Sequence, residues 1–427
     1  MKGDKISALL LVIIMFACQT VIGQTTRESI YQDIAQTGGV YYAYPAKEAV
    51  STPAPKGYEP FYISHYARHG SRWLISEKEY TDVIHVFDKA HQANALTPLG
   101  EDVYFRLNSI WKDAEGREGE LSPIGVRQHR GIAERMYRNY PEVFKGSPEV
   151  SARATTVIRC IFSMDAFCER LKELNPGLKI TRESGKRYMN YLCGYTLEAN
   201  AFKSHDGPWY EEYCKFEESH VHPDRLINSL FAEKEYIHKN INPRQLMWGL
   251  YAIASDLQNT ELDITLYDIF QKEELFDMWQ IGNYHNYVCY GPAPVSQGLI
   301  TATAKLLLSN ILESAEEVIR SGKNAATFRF GHDGNITPLI GLMQLSGGCG
   351  QETDPDKFYQ TWCNFQVSPM ASNVQFVFFR KKGSNDILVK FLHNEKEVTI
   401  PVKTDIVPFY HWKDVKEYYQ GTIDKLP

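Results

Sequence analysis

The chain has 427 residues, more than one compact core usually needs, so we expect two domains or one domain with a large insertion. Hydrophobic residues make up 43% of the sequence, which is enough for a sizeable core. The formal net charge of -6 argues against a general nucleic-acid binder, because such proteins carry a basic domain or stripe. We therefore expect no nucleic-acid partner, and any anion site must be local.

Residues 1–23 have the pattern of a secretory signal peptide: lysines, an apolar run over 6–17 and a small residue before a predicted cleavage site at Gln24. An alternative is a lipoprotein signal, in which Cys18 carries the lipid anchor. No later segment is apolar for long enough to span a bilayer. We expect an exported protein without a membrane span, either periplasmic or secreted, or attached to the outer membrane if Cys18 is lipidated.

The seven cysteines after Cys18 are odd in number, so an oxidising compartment would leave at least one free thiol or one intermolecular pair. Their spacing does not determine any pairing. None stands in a CxxC or zinc-type pattern, so we expect no redox or metal chemistry at sulfur and no cofactor.

The predicted elements begin after a polar lead-in at 24–56. Residues 60–66 alternate between apolar and polar side chains, which predicts a strand. Two similar phrases follow, LTPLG at 96–100 and LSPIG at 121–125. Each places a Thr or Ser as the N-cap of a helix whose first residue is proline, so each predicts a helix start.

A strand from Glu149 and a helix over 157–171 continue the pattern. Between 175 and 295 tyrosines, tryptophans and charges are dense, helical spacings recur and alternating strands are scarce. A strand at 326–330 then precedes the loop GHDGN at 331–335, and the apolar spacing after it predicts a helix.

These elements predict an α/β fold with three layers, α/β/α, and an inserted helical cap. We expect residues 24–174 and 296–427 to form the core together. Residues 175–295 would form the cap.

The loop RHGSR at 68–72 follows the first predicted strand, and ligands of open α/β sheets bind at such carboxyl ends. Arg68 and Arg72 carry planar sets of N–H donors suited to phosphate or carboxylate oxygens, and Gly70 lets the backbone come close to an anion. His69 between them can attack phosphorus, since histidine forms covalent intermediates. The same residues also fit a basic loop around an ordinary histidine.

A phosphomonoesterase without a metal needs a nucleophile, positive charge for the phosphate oxygens and an acid for the leaving alcohol. Arg159 lies near a helix start, where backbone N–H groups favour anions. His332 adds another donor, and Asp333 is the candidate acid. Each also has a simpler interpretation, since Arg159 could lie on a helix surface and Asp333 could cap a helix.

The ordered set of motifs resembles the histidine acid phosphatases, branch 2 of the histidine phosphatase superfamily. RHGSR at 68–72 is similar to the RHGxR signature of that family, and HD at 332–333 to its HD pair. The similarity runs from about residue 58 to residue 400 and is weakest in the insertion. The remaining matching segments, some typical of the multiple inositol polyphosphate phosphatase and phytase group, are LSPIG at 121–125 with QH at 128–129, RAT at 153–155 with Arg159 and Cys160, PMASN at 369–373 and LHNEK at 392–396.

The resemblance implies a role for each matching position. Two positions depart from the inositol polyphosphate group: HDG at 332–334 replaces its usual His-Ala-Glu, and Trp73 stands where proline-containing turns are common. Both departures affect what the resemblance implies about the substrate more than what it implies about the reaction. The implied phosphohistidine forms at His69, the implied phosphate-binding residues are Arg68, Arg72, Arg159 and His332, and the implied acid is Asp333.

Two further sets are weaker candidates. The string HVHPD at 220–224 would suit a metallohydrolase, but no further ligand group stands at a suitable spacing, so we expect no metal. Three basic residues of the insertion could face the site and bind additional phosphates, although such charges more often form a solvated surface. They are Lys186, Arg187 and Lys203.

From the resemblance we expect an exported phosphomonoester hydrolase acting on a phosphorylated small molecule, with inositol polyphosphates such as phytate as substrates. One alternative keeps the mechanism with a broader substrate range. Another, of a different class, is a catalytically inactive phosphate-binding or scaffold protein, although no catalytic position is lost.

Overall fold

A computed structural model describes residues 26–45, 51–323 and 325–426. The predicted signal peptide 1–23 and Cys18 lie outside the described residues. The described strands form one mixed sheet. They are β1 (Tyr58–Arg68), β2 (Glu149–Ala154), β3 (Lys179–Ser184), β4 (Ala326–Gly331), β5 (Asn373–Lys381), β6 (Ile387–His393), β7 (Lys396–Val398) and β8 (Phe409–His411).

The strand order is β3-β2-β4-β1-β5-β6-β7, and β8 also pairs with β6. From β3 to β1 neighbouring strands are parallel, whereas β5 and the strands beyond it pair antiparallel. Arg68, the last residue of β1, lies beside Gly331, the last residue of β4. The loops that begin at His69 and His332 therefore leave the sheet side by side.

Helices cover both faces of this sheet and fill the insertion. None of those in the described ranges combines the length and apolarity needed to cross a membrane. The helices are α1 (Thr26–Gln32), α2 (Lys78–Gln92), α3 (Pro98–Ala114), α4 (Pro123–Asn139), α5 (Ile158–Leu174), α6 (Met189–Leu192), α7 (Leu197–Lys203), α8 (Tyr210–His220), α9 (Asp224–Leu230), α10 (Lys234–Asn240), α11 (Pro243–Asp256), α12 (Lys272–Cys289), α13 (Leu299–Ala302), α14 (Lys305–Ser321), α15 (Asp333–Met343), α16 (Phe358–Thr361), α17 (Asn364–Val367) and α18 (Trp412–Ile423).

Alternate residues of β1 point into two separate cores. Ile63 packs in one core with Phe167 of α5, and Tyr62 packs in the other with Leu339 of α15. Because side chains of a strand alternate between its faces, one strand can serve both layers. The three-layer α/β/α prediction is confirmed.

Both predicted proline-initiated helices begin where the sequence places them. The hydroxyl of Thr97 accepts a hydrogen bond from the backbone N–H of Gly100 at 3.0 Å, and Ser122 accepts one from Gly125 at 3.3 Å. These hydroxyls satisfy backbone donors that the first helical turn leaves without a partner.

The predicted helical insertion at 175–295 contains one strand of the core sheet. β3 pairs with β2 alone, at the edge of the sheet, and most of its side chains are exposed or half-buried. Its sequence, KITRES, therefore has no run of apolar residues to indicate a strand. The helices from α6 to α12 follow this strand.

Candidate active site

The candidate site lies at the carboxyl ends of β1 and β4. The imidazole rings of His69 and His332 have their centroids 5.7 Å apart. Nε2 of His332 also lies 3.2 Å from the hydroxyl of Thr155, which directly follows β2. Three neighbouring strands thus supply one cluster, as expected where parallel strands end together.

His69 is a buried, neutral imidazole with one free nitrogen. Its Nδ1 lies 2.9 Å from the carbonyl oxygen of Gly70, which can only accept a hydrogen bond, so Nδ1 carries the proton. Burial lowers the pKa of His69 well below its usual value, and the charges of Arg68 and Arg159 lower it further. Nε2 therefore keeps an available lone pair even in acid solution.

Arg68 is held rigidly beneath the site. Its Nη1 donates to the backbone carbonyl oxygens of Val40 and Ser368, the latter at 2.8 Å, and Nη2 lies 3.3 Å from Oδ2 of Asp333. Its Nε makes no hydrogen bond to any described residue. The guanidinium group is thus held by three contacts.

Arg72 and Arg159 complete a cluster of three guanidinium groups. Arg72 donates to the carbonyl oxygen of Trp73 at 2.8 Å and lies 5.1 Å above the ring centre of Tyr41. Burial lowers the pKa of Arg159, the second residue of α5, and the charge of Arg72 contributes. The buried Nε atoms of both arginines are unpaired in the described part of the chain. Converging cations with free donors favour an anion such as phosphate.

The loop at 68–72 is hydrogen-bonded to α4 and to the insertion. The backbone N–H of Ser71 donates to Oε1 of Gln128 at 2.8 Å, and Nε2 of Gln128 donates to the Ser71 hydroxyl at 2.8 Å. That hydroxyl donates in turn to Oδ1 of Asn259 at 2.6 Å. These contacts fix the position of the loop at 68–72.

Asp333 is the first residue of α15 and is partly open to solvent, with 37% of its side chain exposed. Burial raises the pKa of its carboxyl, but the charges of Arg68 and His332 outweigh this and leave the pKa below its usual value. Burial, followed by the charge of Arg159, lowers the pKa of His332 to about 4. Asp333 is therefore a stronger acid than a free aspartate. His332 is neutral near pH 7 and needs an adjacent anion to favour its protonated form.

A thiol also lies in the cluster. Sγ of Cys160 donates to the carbonyl oxygen of Gly331 at 3.2 Å and lies 3.7 Å from Nε2 of His332. Burial raises its pKa to about 12. Cys160 therefore stays protonated and is a poor nucleophile. All seven cysteines in the described ranges are free thiols.

Of the three basic residues singled out in the insertion, one lies beside the site. Nζ of Lys203 is 4.3 Å from the ring centre of Tyr290, and a Cβ built on Gly334 would be 3.3 Å from the same ring. Arg187 instead pairs with Glu183 at 2.6 Å and is 73% exposed. Lys186 is exposed.

The HVHPD string at 220–224 is engaged in local contacts. Nδ1 of His220 lies 2.8 Å from the carbonyl oxygen of Phe216, and Nε2 of His222 lies 3.1 Å from that of Ser219. Within the described ranges, no three His, Cys, Asp or Glu side chains are placed to share a metal ion.

Several residues of the site carry no sequence signal. Val40 and Ser368 act through backbone carbonyls, which any residue provides. Tyr41 lies in a segment predicted only as a lead-in. Asp256 is buried near Arg72, and burial raises its pKa to about 7. A single aspartate at the end of an apolar helix looks like an ordinary surface residue until the packing is known.

Comparison with known proteins finds similar solved structures and one matching family model. No individually curated protein matches significantly. The multiple inositol polyphosphate phosphatase of Bifidobacterium longum, in complex with inositol hexasulfate, is 17% identical with a TM-score of 0.70, covering 90% of this chain and 97% of that chain. A phytase from D. castellii is 14% identical with a TM-score of 0.70, covering 96% and 90%. Hafnia alvei phytase, in its complex with myo-inositol hexakis sulphate, is 11% identical with a TM-score of 0.54, covering 87% and 99%. At these identities the likeness is one of fold.

The sequence itself provides the stronger match. A family model described as the histidine phosphatase superfamily (branch 2) matches residues 66–394, which is most of the chain. Its range begins just before the loop at 68–72 and includes the HD pair at 332–333. The order of the motifs, the shared fold and the histidine held among three arginines agree, and the chain belongs to branch 2 of the histidine phosphatase superfamily.

Proposed function

We propose that this protein is an exported phosphomonoester hydrolase that works through a phosphohistidine intermediate. One observation carries the proposal: His69 is neutral, with Nε2 free, inside a cluster of three arginines that retain unpaired donors. Phosphoryl transfer depends mainly on positioning and on stabilising charge at the phosphate oxygens. A well-placed donor of this kind contributes about 10²- to 10³-fold to a reaction rate.

In the first step, Nε2 of His69 attacks phosphorus and forms a P–N bond. The P–O bond to the alcohol breaks, and the departing oxygen takes the proton of Asp333. The charge on the phosphate oxygens is held by the guanidinium groups and by His332, which is protonated beside the anion. Asp333 suits the acid role because its side chain is partly exposed beside the cluster, and the negative charge of a bound phosphate favours the protonated carboxyl.

In the second step, water attacks phosphorus while the carboxylate of Asp333 accepts one of its protons. The P–N bond breaks, and Nε2 of His69 regains its lone pair. Inorganic phosphate leaves, and Asp333 is protonated for the next cycle. Atoms and protons balance without a metal or another cofactor.

For the substrate we propose inositol polyphosphates such as phytate. The likeness to a multiple inositol polyphosphate phosphatase bound to inositol hexasulfate supports this class, as does the position of Lys203 beside the Asp333 loop. A second candidate is an acid phosphatase of broader range. It is favoured by the aromatic lining of the cavity next to the site, which contains few cations.

Export is proposed from residues 1–23 alone. If the signal peptide is removed, the mature protein isolated from its host begins at Gln24. A lipidated protein begins at Cys18 and stays with the membrane fraction. A mature chain that still begins at Met1 would contradict both.

Hydrolysis is tested by measuring orthophosphate release from phytate and from 4-nitrophenyl phosphate in the presence of a chelator. We expect release from both, and His69→Ala to lower kcat by about 10⁴-fold or more. The exposed His85→Ala is the matched control and should change neither rate. An acid-labile phosphoenzyme should form on the wild type and be absent from His69→Ala. Full turnover by His69→Ala would overturn the mechanism, and phosphate binding without release would favour the inactive alternative.

A further inference from the structure

Thr155 lies where three strands of the sheet end together. It directly follows β2 and is fully buried. Its backbone N–H donates to the carbonyl oxygen of Phe330 in β4 at 3.0 Å, and its own carbonyl oxygen accepts a hydrogen bond from the hydroxyl of Ser184, the last residue of β3, at 3.0 Å. The backbone of Thr155 is therefore held from both neighbouring strands.

The side chain of Thr155 contacts the imidazole ring of His332, 177 positions away in the sequence. Its hydroxyl oxygen lies 3.2 Å from Nε2 of that ring. Sγ of Cys160 lies 3.7 Å from Nε2 and 3.9 Å from Nδ1, but this thiol donates its hydrogen to the carbonyl oxygen of Gly331. Among the described residues, Thr155 thus provides the single oxygen atom in hydrogen-bonding contact with the ring. Nδ1 is the ring nitrogen left for a phosphate oxygen.

A hydroxyl group suits this position because it can both donate and accept a hydrogen bond. Burial, followed by the charge of Arg159, lowers the pKa of His332 to about 4, so the ring is neutral near pH 7 when no anion is bound. A neutral ring whose Nε2 accepts the hydrogen of Thr155 carries its own hydrogen on Nδ1. A bound phosphate favours the imidazolium form, and the Thr155 oxygen then accepts a hydrogen bond from Nε2. In both forms Nδ1 is a donor towards the phosphate.

Other charged and titratable groups face His332 from four parts of the fold. The arginines among them disfavour its protonated form, and Asp333 favours it. The carboxyl of Asp333 also gains protons more readily beside a bound anion, so its contribution must be removed in a test. The full set is Tyr66 and Arg68 of β1, His69 and Arg72 of the loop that follows, Arg159 and Cys160 of α5, and Asp333 of α15.

We propose that Thr155 is a positioning residue for His332: its hydroxyl directs Nδ1 towards the phosphate and accepts a hydrogen bond from Nε2 once the anion is bound. The inference rests on the proposed function, because it concerns how the same site holds phosphate. Without this hydroxyl, a buried ring nitrogen has no oxygen partner, and an unpaired buried polar atom weakens the state that contains it.

Sulfate binding tests the inference without catalysis, because sulfate has the shape and charge of phosphate and does not titrate near pH 6. Calorimetry at pH 6 in buffers of different ionisation enthalpy measures both the affinity and the net proton uptake. Every protein compared carries Asp333→Asn, so this carboxyl does not contribute protons. We expect Thr155→Val, which removes the hydroxyl but keeps the side-chain shape, to weaken sulfate binding about 10-fold or more and to reduce the proton uptake.

Two further variants separate the hydroxyl from the packing of the side chain. Thr155→Ser keeps the hydroxyl, so both the affinity and the proton uptake should stay close to those of the Asp333→Asn parent. Thr156→Val makes the same change at the exposed neighbour and should alter neither. Urea denaturation checks that each variant folds, and Thr155→Ala replaces Thr155→Val if the latter does not. Unchanged sulfate binding and proton uptake in Thr155→Val, or equal losses in Thr155→Ser and Thr155→Val, would overturn the inference.

Phosphate release by the protein with Asp333 intact separates this inference from the proposed function. Release from 4-nitrophenyl phosphate, together with unchanged sulfate binding and proton uptake in Thr155→Val, would overturn the role of Thr155 and leave the hydrolase standing. Absence of release from every ester, together with weakened sulfate binding and reduced proton uptake in Thr155→Val alone, would overturn the hydrolase and leave the role of Thr155 standing.

Discussion

Gly70 and Gly125 meet backbone to backbone. A Cβ built on Gly70 would lie 2.6 Å from the carbonyl oxygen of Gly125, and one built on Gly125 would lie 2.3 Å from the carbonyl oxygen of Ser71. Neither glycine has a positive φ, so close approach and not backbone conformation requires them. The loop at 68–72 therefore rests directly on the first turn of α4.

Gly125→Ala should disrupt this contact. The added methyl group meets backbone atoms that cannot rotate away, so we expect a loss of about 1–3 kcal/mol in the free energy of unfolding. Displacing the loop by about 1 Å should also lower kcat by about 100-fold. Urea denaturation and 4-nitrophenyl phosphate hydrolysis measure the two effects. Gly131→Ala on the same helix is the control, because its methyl group would meet the flexible end of Arg135. Wild-type stability and kcat in Gly125→Ala would contradict the prediction.

Asp333→Asn should separate substrates by their leaving groups. An alkoxide needs a proton from the general acid. Because kcat/KM reports the first transfer, before Asp333 acts as a base, we expect kcat/KM for glycerol 2-phosphate to fall by about 10²- to 10⁴-fold. The loss with 4-nitrophenyl phosphate should be much smaller, since its leaving group departs without a proton. Asp356→Asn, a change at an exposed carboxylate, is the control. Equal losses for both substrates would argue against the acid role.

The pH dependence should follow the two shifted groups. The pKa of His69 lies well below its usual value, so the nucleophile stays unprotonated in acid. The pKa of Asp333 is also lowered, so its proton is lost as the pH rises, and kcat/KM should fall in that direction. A bound phosphate engages Arg68 and adds negative charge, so kcat should fall at a higher pH than kcat/KM. Rates with glycerol 2-phosphate from pH 3 to pH 8 measure both. A kcat/KM that rises through this range would refute the assignment.

Two buried histidines should make the fold sensitive to acid. Burial lowers the pKa values of His65 and His129 to about 3. In the unfolded chain these histidines bind protons near pH 6.5, whereas in the folded chain they stay neutral at that pH. The free energy of unfolding therefore decreases as the pH falls below about 6.5. At pH 4 each contributes a loss of about 3 kcal/mol.

Replacing one of these histidines should reduce the loss. Urea unfolding of His129→Leu at pH 7 and pH 4 should show a smaller decrease in stability than the wild type shows. The exposed His85→Leu should behave like the wild type. An identical decrease in all three proteins would show that His129 is not held neutral.

The sequence alone determined the local features of this protein. Thr97 and Ser122 cap helices because their hydroxyls reach backbone donors three residues away. Such features depend on neighbours in the chain, so they can be predicted from spacing. The order of the motifs was enough to indicate the family and to identify the residues that the fold brings together around His69.

Only the tertiary structure decided features that depend on distant segments. Arg68 is held by carbonyls of Val40 and Ser368, far apart in the chain, and backbone atoms have no sequence signature. The strand β3 was missed because an exposed edge strand needs no apolar pattern. The cavity of about 570 Å³ lined by Tyr41, Trp248 and Trp279 combines the segment before β1 with three helices of the insertion, so its rings resembled ordinary core residues. The lowered pKa values likewise follow from burial and from charges that folding brings together.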